Sequence, residues 1–289
     1  MDVLILGGTG AMGIALVNIL ADNGTSVFVT SRKEHISQRK NVIYIKGNAK
    51  DSAFLSQLMK RKWDCIIDFM VYSTNEFRNR SDKFLLATDQ YIFISSTRVY
   101  AESDKPLTEK SPRLLDVCTD QEYLKTDEYA LSKARQEDIL ISTHSKNYTI
   151  VRPSLTYNSN RLQFAISEKE EWLYRALHGR SIVLPKDMLY VKTTMTYGGD
   201  VAYAIAKLVG NKKALGEIIH ITNDISNTWG EIWEIYQSVF RKKTGNEMRL
   251  FMVDDSLKIA SDLGRTYQIK YARRINRTFS GKKMHSIIG

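Results

Sequence analysis

Cysteine, proline and histidine are all scarce in this chain, and so is uninterrupted hydrophobicity. Only two cysteines, Cys65 and Cys118, occur among 289 residues, and Cys65 stands inside an apolar run that reads as a buried strand. That usage excludes a disulfide framework. The five histidines, His35, His144, His178, His220 and His285, show no ligand spacing, and no Cys-x-x-Cys pair is present, so no metal site is expected. Four prolines and sixteen glycines leave no long linker. There is no internal repeat and no low-complexity segment. No apolar stretch approaches the ~18 residues needed to span a bilayer, and the first residues enter a strand-like run directly rather than a basic segment with a cleavage site. These absences predict a cytoplasmic protein that needs no membrane.

What is present suits a folded enzyme. At 43% apolar residues the chain can build a proper core, which excludes disordered and fibrous classes. A formal charge of +10 fits anionic partners: cofactor phosphates, a nucleotide-linked substrate or nucleic acid. The densest basic cluster lies at Arg273, Arg274, Arg277, Lys282 and Lys283. Charge runs ordinarily face water, so a solvated basic tail is expected there. The chain lacks an aromatic-and-basic stacking motif for single strands, which weighs against nucleic acid.

The apolar run Val3-Leu4-Ile5-Leu6 leads into Gly7-Gly8-Thr9-Gly10-Ala11-Met12-Gly13, and a helix-like apolar stretch begins at Ile14. A strand, a glycine turn and a helix in that order form a dinucleotide site. Gly7 takes the backbone angles of the turn, Gly10 admits a pyrophosphate to the main chain, and Gly13 lets the helix pack on the strand. The helix N-terminus beyond Ala11 and Met12 supplies free N–H groups and partial positive charge.

Further apolar runs at 26–30, 42–45, 65–70, 91–95 and 148–151 read as strands, with helical patterning between them at 51–60 and 122–142. The alternation predicts an α/β fold, a Rossmann-like doubly wound parallel sheet, with a smaller C-terminal α/β lobe. The pattern loosens after Arg152-Pro153. There 161–179 reads as a helix, 181–184 as extended, 199–209 as a helix capped by Asp200, 217–222 as a strand and 228–242 as an amphipathic helix. Trp229, Trp233 and Tyr236 on that last helix read as core. The expected division is a dinucleotide-binding core over 1–154 with sheet elements from about 193–224, and a substrate lobe from 155–192 and 225–289.

Tyr129 and Lys133, four residues apart on a predicted helix, share one face. An ammonium beside a phenol favours the phenolate, bringing a pKa of ~10 toward the range useful for proton transfer. Ser96, at the carboxyl end of the 91–95 strand, stands where open α/β sheets place their ligands. This trio suits alcohol–carbonyl interconversion.

The glycine turn, Ser95-Ser96-Thr97-Arg98-Val99-Tyr100, the Tyr129-Lys133 pair and Val151-Arg152-Pro153-Ser154 follow one another in a fixed order. In this the chain resembles the extended short-chain dehydrogenases/reductases, the NAD-dependent epimerase/dehydratase group, most densely from residue 1 to about 160. The resemblance implies an NAD(P)-dependent oxidoreductase or epimerase acting on a hydroxyl carbon of a sugar nucleotide or related polar metabolite. It carries the catalytic hydroxyl onto Ser96, the base onto Tyr129 and its partner onto Lys133, both of which also contact the cofactor. It places Ser154 and Arg161 on the substrate side and implies a homodimer. Departures are visible: Ala101 replaces a common glycine after Val-Tyr, Tyr157-Asn158-Ser159 replaces Tyr-Gly-Pro, and Gly47-Asn48 replaces Gly-Asp. Asn48 offers adenine an amide in place of a carboxylate.

The second predicted strand ends in Thr30-Ser31-Arg32-Lys33, without the acidic residue that would bind ribose hydroxyls and repel a 2′-phosphate. Ser31 and Arg32 suit that phosphate, which favours NADP over NAD. The rival readings are a dinucleotide-binding sensor or scaffold without turnover, and an RNA-associated protein on the same fold.

Overall fold

The strands are apolar at consecutive positions because the sheet is covered on both faces. A computed structural model describes residues 1–10 and 12–289. Seven strands form one parallel sheet: β1 (Asp2–Leu6), β2 (Ser26–Ser31), β3 (Val42–Lys46), β4 (Trp63–Asp68), β5 (Thr88–Ile94), β6 (Tyr148–Pro153) and β7 (Glu217–Ile221). Their spatial order is β7-β6-β5-β4-β1-β2-β3. The chain therefore winds outward in both directions from β1 and β4, and the carboxyl ends beside that switch point form the natural ligand crevice.

Alternate residues of each strand serve opposite layers. Val3 and Ile5 pack with Leu16, Val17 and Leu20 of α1 (Gly13–Asp22) and with Val201 and Ile205 further along the chain. Leu4 and Leu6 face the other layer, among Leu55 of α2 (Ser52–Leu58), Phe77 and Phe84 of α3 (Thr74–Leu86), and Leu140 of α4 (Tyr129–Ile141). A capping box at Ser73 and Glu76 starts α3. Cys65 and Cys118 are free thiols, and burial pushes the Cys65 thiol far above its ordinary value. No described helix is long and apolar enough to cross a membrane.

Beyond β6 a separate apolar cluster gathers Phe164, Trp172 of α5 (Lys169–Leu177), Ile182, Leu184, and Trp229, Trp233 and Phe240. Tyr236 packs against this cluster and stacks on Trp172 at 4.9 Å. Here the structure corrects several expectations. The helix read over 161–179 is confined to Lys169–Leu177. The Asn158 side chain takes the N–H groups of Asn160 and Arg161, and Ala165 holds a left-handed φ of 50°, which a continuous helix cannot contain. Asp200 does not cap α6 (Gly198–Leu208); Tyr197 occupies that position, and Asp200 sits in the first turn, where its charge favours the helix dipole. Thr228 caps α7 (Trp229–Thr244) through a capping box with Glu231.

The basic segment near residue 273 is not a solvated tail. Arg273 and Arg277 are under 10% exposed, Arg274 pairs with Asp187 and Asp255, and Lys283 pairs with Glu217. The segment runs back across the sheet edge: Leu107 and Phe279 bridge in parallel, and Ser280 offers its carbonyl to His220 of β7.

Candidate active site

Sequence-distant residues meet where the carboxyl ends of β5 and β6, with Met12 at the start of α1, open into a cleft of about 330 Å³. Gly7 leaves β1 with a φ of +73°, a conformation that favours glycine. At Gly13 a Cβ would fall 2.4 Å from the Gly8 carbonyl oxygen, so only glycine lets α1 start this close to the turn. A Cβ added at Gly10 would meet nothing nearer than the Gly7 oxygen at 3.9 Å among the described residues beyond its chain neighbours. Met12 stands at the N-cap of α1 without a side-chain cap and also lines the cleft, while the Ile14 N–H is taken by the Gly10 carbonyl at 3.2 Å. This open cradle fits a pyrophosphate. Ala11 lies outside the described residues.

Ser31 ends β2 with its hydroxyl accepting from the Lys33 N–H at 3.1 Å. Arg32, exposed beside it, has no hydrogen-bond or ion-pair partner among the described residues. Asn48 is exposed beyond β3, its amide oxygen turned to the Lys50 N–H at 3.0 Å.

Ser96 stands two residues past β5 and caps the short turn Thr97–Val99, accepting from the Arg98 N–H at 3.2 Å. Tyr129 opens α4, whose N-cap, Glu128, accepts from the Ala130 N–H at 2.8 Å. The other Glu128 oxygen holds Arg98 Nη2 at 2.5 Å, so one carboxylate ties the serine turn to the helix that presents the tyrosine. Both Ser96 and Tyr129 line the cleft.

Lys133 follows Tyr129 by one turn of α4. It is buried beneath the cleft, its ammonium donating to the Ile94 carbonyl at 2.8 Å and lying 4.5 Å from the Phe93 ring centre. Burial lowers its pKa to about 8, against the pull of Asp68 and Glu137. Burial raises the Tyr129 phenol above its ordinary value, and Arg98, the Ser96 hydroxyl and Arg161 oppose that rise. The Arg98 guanidinium carbon lies 5.1 Å from the Tyr129 ring centre.

Under this floor runs a buried polar network. Glu137, one turn beyond Lys133, receives Arg152 Nε at 2.8 Å and Nη2 at 2.6 Å, and the Ser95 hydroxyl at 2.6 Å. It thereby fixes the ends of β5 and β6. Ser154 follows β6 into the cleft wall, sharing a 2.6 Å hydrogen bond with the Thr196 hydroxyl, and Leu155 and the exposed Arg161 line the same space.

Sequence reasoning missed the far wall. Thr193, Thr194, Gln268, Arg273, Arg277 and Phe279 complete the cleft. Their one local signal was the four-residue spacing of Arg273 and Arg277 in a segment dismissed as solvated.

The NAD dependent epimerase/dehydratase family model matches residues 3–222. No curated protein sequence matches the chain significantly. Solved structures share the fold. The dTDP-glucose 4,6-dehydratase of Bacillus anthracis str. Ames, in complex with NAD, is 18% identical, over 99% of this chain and 90% of that one, with a TM-score of 0.73. The UDP-glucuronic acid 4-epimerase of Bacillus cereus, in complex with UDP-glucuronic acid and NAD, is 15% identical, over 100% and 93%, at 0.73. The Bordetella bronchiseptica enzyme WbmH, in complex with NAD+, is 13% identical, over 100% and 92%, also at 0.73. The seven-stranded parallel sheet is thus the Rossmann-like sheet of these proteins, and the chain belongs to the NAD dependent epimerase/dehydratase family.

Proposed function

We propose that the protein is an NAD(P)-dependent oxidoreductase or epimerase that works on a hydroxyl carbon of a sugar nucleotide or related polar metabolite, with NADP preferred. The observation that carries this reading is the meeting of Ser96 and Tyr129 in one cleft that Met12, at the end of the glycine turn, also lines. Gly7, Gly10, Met12 and Gly13 would hold the pyrophosphate, and Asn48 the adenine. Ser31 and the unpartnered Arg32 would hold a 2′-phosphate. The relatives named above are complexes with NAD; the preference for NADP rests on the Ser31-Arg32 pair of this chain alone.

When bound, the nicotinamide supplies a site that takes up and returns a hydride. The rest is the work of side chains. The Ser96 hydroxyl positions the substrate oxygen, and Tyr129 accepts the hydroxyl proton as phenolate. A neutral phenol raised by burial is a poor base, and Arg98 and Arg161 are the charges that bring it back toward use. Lys133 anchors the end of β5 by its bond to Ile94 and adds positive charge from below. The lobe formed by 155–192 and 225–289 would select the substrate, with Ser154 and Arg161 facing it.

The test is a titration of the purified protein with NADPH and with NADH at one fixed salt concentration, following nicotinamide fluorescence. Saturable binding with NADPH the tighter is expected. Binding of neither would overturn the reading.

A further inference from the structure

Four arginines, Arg98, Arg161, Arg273 and Arg277, line the cleft, and among the described residues a single carboxylate pairs with any of them. Glu128 holds Arg98 by one nitrogen, while Arg98 Nε is buried without a partner. Arg161 has no side-chain hydrogen bond or ion pair among the described residues. Arg273 is 8% exposed, yet its one partner is the neutral amide oxygen of Gln163 at 2.9 Å, and its Nε has none. Arg277 donates only to main-chain carbonyls, those of Tyr100, Ala101 and Tyr271. Three positive charges are therefore uncompensated at close range. Glu168 and Glu102 act on Arg273 and Arg277 only across space, and burial with mutual repulsion pushes Arg273 down to about 9 and Arg277 to about 10. Buried cations without counter-charge are costly, and forked donors facing a cleft are what an oxyanion requires.

The arrangement is built, not loose. Tyr123 stacks on Tyr271 at 4.2 Å, Asp120 grips Lys270 at 2.8 Å and the Tyr271 hydroxyl at 2.6 Å, and Arg277 is fixed by its carbonyls. Arg161 and Arg273 line the same cleft as Ser96 and Tyr129, so an anion held by them shares the space of the reacting end.

We propose that the cleft binds its substrate through a doubly charged oxyanion, a phosphate ester or a pair of carboxylates, held by Arg161 and Arg273 in the space that Ser96 and Tyr129 also line. The reacting end rests on the function proposed above; the anion site rests on the guanidiniums alone. It makes the substrate an acidic polyol or sugar acid, or its phosphate, with charge near the carbon that reacts rather than only on a distant leaving group.

The experiment is calorimetric titration of the intact protein, at low fixed salt, with malonate, inorganic phosphate and glycerol, repeated on Arg161→Gln and Arg273→Gln. One of the two anions is expected to saturate, glycerol not at all, and affinity to fall about tenfold or more in each variant, as for loss of a charge-assisted fork. Which anion binds identifies carboxylate or phosphate. Failure of both anions to bind, or affinities unchanged in both variants, would overturn the proposal. Should Arg273→Gln fail to fold, Arg161→Gln decides, since that side chain is exposed. An anion displaced by NADPH and indifferent to Arg161→Gln sits on the glycine turn, which also overturns it. Whether NADPH binds at all is read in the same titrations, so failure of the nicotinamide reading is scored separately.

Discussion

Replacing Arg152 by methionine should cost this protein a large part of its stability without any direct contact with the cleft. The guanidinium is 1% exposed and meets a fully buried Glu137 through two hydrogen bonds of 2.8 and 2.6 Å. Removing one partner of such a pair strands a charge in the interior, at about 3–5 kcal/mol. Two features set the magnitude within that range. Arg113 Nη1 remains 3.5 Å from the Glu137 carboxylate and the Ser95 hydroxyl stays at 2.6 Å, which favours the lower end. Against this, the guanidinium also lies 4.7 Å from the Tyr100 ring centre, a contact of roughly 1 kcal/mol that methionine replaces only in part. The expected loss is therefore about 3 kcal/mol, a fifth or more of the stability of a typical protein of roughly 5–15 kcal/mol. Urea unfolding followed by tryptophan fluorescence measures it, with the slope unchanged and the midpoint lowered. The paired change Glu137→Leu with Arg152→Met should recover much of the loss, because no charge is then left unpaired. A loss under about 1 kcal/mol in Arg152→Met, or a double variant that loses the sum of the single changes, would refute the argument.

Three further outcomes are expected. Tyr129→Phe keeps the ring and removes the hydroxyl, so turnover should fall by a factor of ~100 or more while nicotinamide binding persists; turnover within threefold of the parent would remove Tyr129 as the base. Arg32→Ala should weaken NADPH by roughly tenfold and leave NADH nearly unchanged, and equal effects on both would end the phosphate role. Asp68 is buried, and burial raises its carboxyl to about 6 from 3.8 against hydrogen bonds from Met70 and Tyr91. A group whose folded pKa is raised stabilises below its unfolded pKa and loses that contribution as pH climbs through the folded one. The stability of the parent relative to Asp68→Asn should therefore decline between about pH 4 and pH 6. Unfolding curves across that window check it, and a difference that is flat or rises contradicts it.

Local signals carried much of the fold and only part of the cleft. β1, the glycine turn and α1 are contiguous, so their order was visible in a dozen residues, and the doubly buried strands announced themselves by unbroken apolar runs. Ser96, Tyr129 and Ser154 each follow or begin an element whose end could be read, and the structure brings all three to one cleft. The failures came where backbone direction is decided by contacts rather than by pattern. The helical reading of 161–179 could not see the Asn158 turn or the left-handed Ala165. Arg273 and Arg277 looked like solvent-facing charge because their partners, Gln163 and the carbonyls at Tyr100 and Ala101, lie more than a hundred residues earlier.

The stretch that matches the family model ends at 222, and Arg273, Arg277 and Phe279 all come from beyond it. The two halves of the cleft are therefore separate in sequence although they touch in space. Changes among residues 263–279 can alter what the cleft admits while the glycine turn and Tyr129, more than a hundred positions upstream, keep their sequence, provided that Tyr271 and Arg277, which pack on Tyr123 and bond to the carbonyls at Tyr100 and Ala101, are retained. For a protein engineer this marks the segment to diversify in a library, and the segment to leave alone.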